Sequence, residues 1–433
     1  MTASTSATTC ATTVRYTTMR DSTTRGHYLP QDCEVGMTRP SLSSEWIRYF
    51  IVDRSSGIVR VVLQDGSSSE LPLGEEFAAL SSQIATSVFD WDRWWIINTT
   101  VRGHVLVAEA YSPITEDPIR GRPIVYLDQN HWSTIATAFA APERIRSESL
   151  RAAARLIARL AHDGKIITPL SAAHLRETGA LSGERRYELG VAMASLAGGW
   201  QFRHPLEIWR NELAQSIAKY LGIQAPIETS LPVVTLEPNA LLDDNTNAHA
   251  MDIDDPRLFL LAMTSPSATL ELLLEPKAMD RIEPEGWVAR QRDLSSALAQ
   301  SPKNNQVKKQ NALVFTWIDN LQPINEALQA LDETPERLAG ISIGAIREIL
   351  GSTPMVNRFS RLMAQRHISA TTRWKPNDLT DLMFLSAAAA YADYVVAEKQ
   401  TGTELAQLEV ALGQQPTTFN RLELLADQLE HLR

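Results

Sequence analysis

Between residues 45 and 111 the chain reads as short apolar runs broken by turn residues. WIRYFIVD, IVRVVLQDG, RWWIINTT and HVLVAEAY are rich in β-branched and aromatic residues, and RSSG and DGSSS supply turns between them. The pattern predicts a β-rich module over about 41–115. A helix is expected to interrupt it, because LGEEFAALSSQIATSVF (73–89) carries helical spacing. Beyond the proline-bearing SPITEDPIRGRP, the apolar run PIVYLDQNHWSTI (123–135) stops at Asp128 and resumes with helical spacing. Leu150, Ala153, Ile157 and Leu160 mark the next helix, with Arg151, Arg155 and Arg159 on another face. KIITPL (165–170) follows as a short strand, and SAAHLRETGALS opens a further helix. This alternation predicts a parallel sheet covered by helices.

From about 198 to 373 the spacing is mostly helical, as in PLEIWRNELAQSIAKYL and NALVFTWIDNLQPINEALQAL. The acidic LLDDNTNAHAMDIDDP within it lacks the spacing and the glycine of a calcium-binding loop, which favours a solvated or helix-capping segment. PNDLTDLMFLSAAAAYADYVVAEKQTG then reads as a helix running into a strand, and a last amphipathic helix is expected near 418–432.

A chain of 433 residues exceeds the size at which one core keeps growing, so two or three domains are expected. No apolar run approaches the roughly 20 residues that span a bilayer. The net charge of −10 excludes a generally basic nucleic-acid coat and leaves local patches open. Cys10 and Cys33 are the only cysteines, which excludes a disulfide framework or thiolate zinc site and suits a reducing, cytoplasmic setting. They fall in a segment, 1–40, that holds 14 Ser or Thr and no hydrophobic signal core, and that reads as a disordered tail.

Carboxylates end up in related places. Asp128 closes a strand; Glu177 sits on a helix directly after a strand; Asp378 and Asp381 open a helix; Asp393 stands between that helix and a strand; Glu398 follows the strand. In open parallel sheets ligands bind beyond the carboxyl ends of the strands, where several of these acids would meet. Converging carboxylates repel unless a cation lies between them, and hard oxygen donors select Mg²⁺ or Mn²⁺. Such ions activate water and neutralise charge at phosphorus, so the chemistry expected is phosphodiester hydrolysis. Local roles compete at each position. Asp128 and Asp378 fit helix caps, Asp393 a helix terminator, and Glu177 a solvated glutamate.

The hydrophobic-Leu-Asp-x-Asn start, the Ser-x-x-His-x-x-Glu helix and the late Asn-Asp-Leu-x-Asp and Tyr-x-Asp-x-Val-Val blocks resemble the PIN (PilT N-terminus) domain nucleases, in particular bacterial PIN-like proteins. The likeness covers about 121–177 and 376–401, fewer than 90 residues. It implies a three-layer α/β/α fold with a short, largely parallel sheet, here over 119–405 and carrying a helical insertion at about 198–373; the residues from 406, outside the likeness, are expected as a C-terminal helix from their spacing. It also implies a metal-dependent endoribonuclease that leaves 5′-phosphate and 3′-hydroxyl ends. Carried over, Asp128, Glu177 and Asp381 match the metal-binding acids, and the last acid falls at Asp393 or Glu398, with Asp378 a further candidate ligand. Ala397 departs from the Ser or Thr found there in many members.

Asn130 and His174 are candidates for substrate contacts, beside local turn and packing roles. The stretch 349–377 lacks acids and carries Arg358, Arg361, Arg366, Arg373 and Lys375 with Phe359, His367 and Trp374 interleaved, residue types that grip phosphates and stack on bases. A basic face neutralised within the fold is the competing reading. The expected partner is RNA, with single-stranded DNA second, and an antitoxin or other protein partner or a homodimer stays open. A toxin or phage-defence setting follows from the resemblance alone. The rival functions are a non-catalytic scaffold of the same fold and a hydrolase of small phosphorylated molecules.

Overall fold

The computed structural model describes residues 46–74, 82–112, 115, 117–224, 231–243, 256–279, 285–369 and 373–432. Residues 1–45, with both cysteines, and most of the acidic segment after Leu242 lie outside the described residues. Strands β1 (Ile47–Asp53), β2 (Ile58–Leu63), β3 (Ser68–Pro72), β4 (Ile84–Asp90), β5 (Trp95–Thr100) and β6 (Val105–Glu109) form an antiparallel sheet ordered β3-β2-β1-β4-β5-β6. The helix expected over 73–89 is therefore corrected in its second half. Residues 84–90 lie between β1 and β5 and pair with both, so two ladders of backbone hydrogen bonds override the local helical spacing.

The rest of the chain opens with β7 (Val125–Leu127), α1 (Gln129–Ala140), α2 (Glu148–His162), α3 (Ala172–Gly179), α4 (Gly183–Ala197) and β8 (Gln201–Phe202). It continues through α5 (Pro205–Leu221), β9 (Val234–Thr235), α6 (Pro256–Leu274), α7 (Glu285–Gln300), α8 (Asn305–Asp319), α9 (Leu321–Ala330), α10 (Ile343–Gly351) and α11 (Pro354–Ile368). It closes with α12 (Asp378–Tyr391), β10 (Tyr394–Val396), α13 (Lys399–Ala411), β11 (Thr418–Phe419) and α14 (Leu422–Leu429). No helix among the described residues is long and apolar enough to cross a membrane.

A parallel sheet ordered β11-β10-β7 forms the centre, with Val125, Tyr126 and Leu127 in register with Tyr394, Val395 and Val396. Successive residues alternate between two cores. Tyr126 and Val395 face a cluster containing Trp209 and Phe359, while Val125, Leu127 and Val396 face one containing Trp132 and Ile157. Both faces are therefore covered by helices, the arrangement that parallel strands require. The fold is mixed α/β, as the spacing predicts.

KIITPL is pared down to single bridges, Ile167 to Ile124 and Leu170 to Gln201, because Pro169 has no N–H to extend the ladder. Those bridges carry the sheet toward β8 and its antiparallel partner β9, so the helical segment expected from 198 contains two strands near its start. The expected C-terminal helix is likewise divided, with residues 418–419 pairing as β11 beside β10 before α14 begins.

Glu212 of α5 ties this helical segment to the central layer. Its buried carboxylate accepts from the N–H groups of Met355 and Val356 at 2.7 and 3.0 Å, in the first turn of α11, and from the Tyr391 hydroxyl at 2.6 Å, at the end of α12. One side chain thus satisfies two helix-terminal donors that would otherwise lack partners, and burial pushes its pKa up. Glu212→Ala is expected to lower unfolding free energy by about 2–4 kcal/mol, since three buried donors lose their acceptor. Urea titration tests this, and a loss below about 0.5 kcal/mol contradicts the anchoring role.

Candidate functional site

Pairing of β7 with β10 brings two acids to the same end of the sheet. Asp128 follows β7 directly and its N–H donates to Val396 O at 2.9 Å, continuing the ladder. Asp128 is the N-cap of α1, with Oδ1 accepting from Gln129 N–H at 2.9 Å. Its Oδ2 accepts from Glu398 N–H at 3.3 Å, so the cap and the cross-strand contact use different oxygens. Glu398 stands at the N-cap position of α13 without a side-chain capping bond, and the Asn130 amide donates to its Oε1. His131 Nε2 stands 3.2 Å from Ala397 O, beside Asp128.

The other two acids come from helices that a single contact locks together. Arg176 Nη2 donates to Thr380 Oγ1 at 2.6 Å, so Glu177 on α3 and Asp381 on α12, the next residues along, are held at one junction. Neither carboxylate has a hydrogen-bond or ion-pair partner among the described residues.

The electrostatics tie all four acids into one group. Glu177 is pushed up to about 7, first by partial burial, then by Asp128 and Asp381, with Glu398 adding and Arg176 opposing. Asp381 is likewise pushed up to about 7, by burial first, then by Asp128, Glu398 and Asp378, against Arg366. Burial also raises Asp128, and Glu398 adds to this against the Gln129 hydrogen bond. Asp128, Glu177, Asp381 and Glu398 therefore stand within each other's field at the carboxyl ends of β7 and β10.

Among the described residues, no three His, Cys, Asp or Glu side chains are placed to hold one ion jointly. In donor chemistry, though not in spacing, the set matches what a hard divalent cation selects. All four groups are carboxylates, two have no partner among the described residues, and mutual repulsion of such groups is the penalty that an ion removes.

Several sequence expectations are corrected. Asp393 precedes β10, and its Oδ2 accepts from Ile124 N–H at 2.7 Å, at the amino end of the sheet. The whole length of β10 separates it from the cluster. Asp378 is the first residue of α12, behind the Asn377 N-cap, and its carboxylate accepts from Lys375 N–H at 2.6 Å and pairs with Arg366 Nη1 at 3.2 Å.

His174 is only 1% exposed. Its Nδ1 accepts from Ser171 N–H at 3.0 Å, which leaves Nε2 to donate to Leu127 O at 2.8 Å, and burial holds its pKa down at about 4. It is a neutral brace beneath Asp128 rather than a substrate contact.

Arg358 and Arg366 are also interior. Arg358 donates to Pro354 O and Gln414, and Arg366 binds Asp378 and Glu404. Phe359, His367 and Trp374 are buried, so the expected stacking face is part of the core. Arg361, Arg373 and Lys375 remain at the surface. Asn130 is exposed but serves Glu398. Arg176 and Thr380, which hold the two helices together, escape sequence reading. Their only signal is adjacency to the acids.

In comparisons with known proteins, the chain matches no family model, no curated protein and no solved structure.

Two outcomes follow from this geometry. Because Glu177 and Asp381 bind protons more tightly folded than unfolded, their contribution is fullest below the ordinary carboxylate values of 4.5 and 3.8 and is lost as pH rises through about 7. The metal-free protein is expected to lose melting temperature between about pH 5 and 8, and Mn²⁺ to restore it chiefly at the upper end. Differential scanning calorimetry of wild type and Asp381→Asn checks this, the variant showing a flatter profile. Separately, His174→Gln is expected to reduce stability by about 1–3 kcal/mol in urea unfolding, where a substrate-contacting histidine would leave it unchanged.

Proposed function

We propose that the chain is a divalent-metal-dependent phosphodiesterase of the PIN-like nuclease type, acting on RNA. The observation that carries this reading is the convergence of Asp128, Glu177, Asp381 and Glu398, from four different elements, at the carboxyl end of a parallel sheet with both faces buried. Glu398 takes the place of Asp393 in the set. These four residues would hold Mg²⁺ or Mn²⁺. When bound, such an ion activates water for attack on phosphorus and neutralises charge on the phosphoryl oxygens.

The chain's own residues prepare that site. Gln129 and Glu398 N–H groups fix the Asp128 carboxylate, Asn130 steers Glu398, and the Arg176–Thr380 contact sets the spacing of Glu177 and Asp381. A hydrolase of small phosphorylated molecules is the second reading. It is favoured by the burial of Arg358 and Arg366, which removes two of the cations expected to grip a strand.

The test is cleavage of end-labelled single-stranded RNA with Mn²⁺ or Mg²⁺. Wild type is expected to yield 5′-phosphate and 3′-hydroxyl ends, and Asp128→Asn and Asp381→Asn to lose at least about 100-fold in rate. Asp393→Asn, which keeps an oxygen for Ile124 N–H, is expected to stay within about threefold of wild type. Absence of cleavage with both metals, or wild-type rates in the Asp128 and Asp381 variants, rejects the nuclease. A wild type that spares RNA but hydrolyses a chromogenic phosphate ester selects the second reading.

A further inference from the structure

Away from the carboxylates, α8, α10, α11 and α13 enclose an open groove of about 440 Å³. Its chemistry is one-sided for a chain of net charge −10. Lys309, Arg347 and Arg361 reach it from three different helices, and no Asp or Glu lines it. All three cations are exposed and have no ion-pair partner among the described residues; Arg361 donates only to the neutral Asn357 amide, at 2.8 Å. The acids of the adjoining α13 are engaged elsewhere. Glu404 is held by Arg366, and the Glu409 carboxylate accepts from Thr417 and Thr418.

The remaining polar lining is neutral, amides and a hydroxyl that can each donate. Four glutamines contribute, among them Gln365 and Gln407. Ser360 lines the groove while only 1% exposed, and its Oγ has no hydrogen-bond partner among the described residues. Lone cations and amides around a cleft fit a ligand that offers several anionic oxygens.

We infer that this groove binds the sugar-phosphate backbone of a single RNA strand whose scissile bond lies at the carboxylates. The inference rests on the nuclease reading for the identity of the strand. The groove is suitably placed, because α13 begins at the residue after Glu398 and Gln407 lies nine residues along it, roughly 13 Å away at helical rise. No aromatic side chain lines the groove, so it grips phosphates without stacking on bases and carries no preference for sequence.

The experiment is fluorescence anisotropy of a labelled single-stranded oligoribonucleotide in EDTA, where binding is read without cleavage. The triple variant Lys309→Glu, Arg347→Glu, Arg361→Glu is expected to bind at least about tenfold more weakly, with the slope of log K against log salt reduced by about 2, as three lost phosphate contacts require. Its circular dichroism melt serves as the folding control. Asp393→Asn, at the amino end of the sheet, is expected to bind as wild type does, the control for a change of charge outside the groove.

Wild-type affinity in a folded triple variant overturns the proposal, as does a wild type that binds no RNA. Adenosine monophosphate and inorganic phosphate are the competing probes. If either displaces the RNA as well as an unlabelled strand does at equal phosphate concentration, the groove is a small-anion site and the strand assignment is overturned. RNA affinity that depends on the three cations in a protein that cuts no RNA leaves the groove standing and removes the nuclease.

Discussion

Mutual repulsion of four carboxylates at the end of two paired strands is the constraint around which the central layer is arranged. Asp128, Glu177 and Asp381 are partly withdrawn from water while Glu398 is exposed, and burial together with like charge drives Glu177 and Asp381 up to about 7. A fold tolerates such a group only where stronger interactions fix the backbone beneath it. Here those interactions are the β7 and β10 ladder and the apolar cores on both of its faces, which bury Val125, Tyr126, Leu127, Val395 and Val396 almost completely. The strand ends cannot move apart without breaking two cores at once.

The bracing is finer than the sheet alone. The last carbonyl of β7, on Leu127, is held by His174, whose ring stacks 5.2 Å from Tyr126 and whose other nitrogen caps its own helix. Tyr126 in turn places its hydroxyl 2.9 Å from Ser171 Oγ. The helix that presents Glu177 is thereby registered against the strand that presents Asp128. Glu212 performs the equivalent task on the far side, joining α5 to the start of α11 and the end of α12, the helix that carries Asp381. Polar groups buried in this manner cost little only when every bond is made, so these contacts specify one arrangement more than they add stability.

Much of this was legible in the sequence, and the failures have physical causes. YLDQN announced Asp128 because an acid ending an apolar strand needs a reason, and the apolar runs that stop at Asp128 and before Glu398 located both strands. Asp393 was misjudged because three residues of strand carry the chain from one end of the sheet to the other, so Asp393 and Glu398 are near in sequence and far apart in chemistry. Residues 84–89 looked helical because spacing over six residues cannot reveal the strands on either side. The basic stretch around Arg358 and Arg366 misled for a different reason. Composition reports charge, whereas burial and partners decide whether that charge meets a ligand or a neighbouring carboxylate.

Arg366 shows why that distinction matters for the site. Held between Asp378 and Glu404 at 4% exposure, it cannot reach a strand, yet it is the cation that most directly opposes the rise of Asp381. A single buried guanidinium leaves the cluster short of full neutralisation, since Asp378 and Glu404 already claim its donors. On the proposed function, the charge that remains on the cluster would favour a divalent ion over a bare phosphate. An anionic strand would then be attracted by cations outside the cluster, and the exposed Lys309, Arg347 and Arg361 line a groove that holds no acid. Separating the two signs of charge in this way would let one acidic protein hold both a cation and a polyanion.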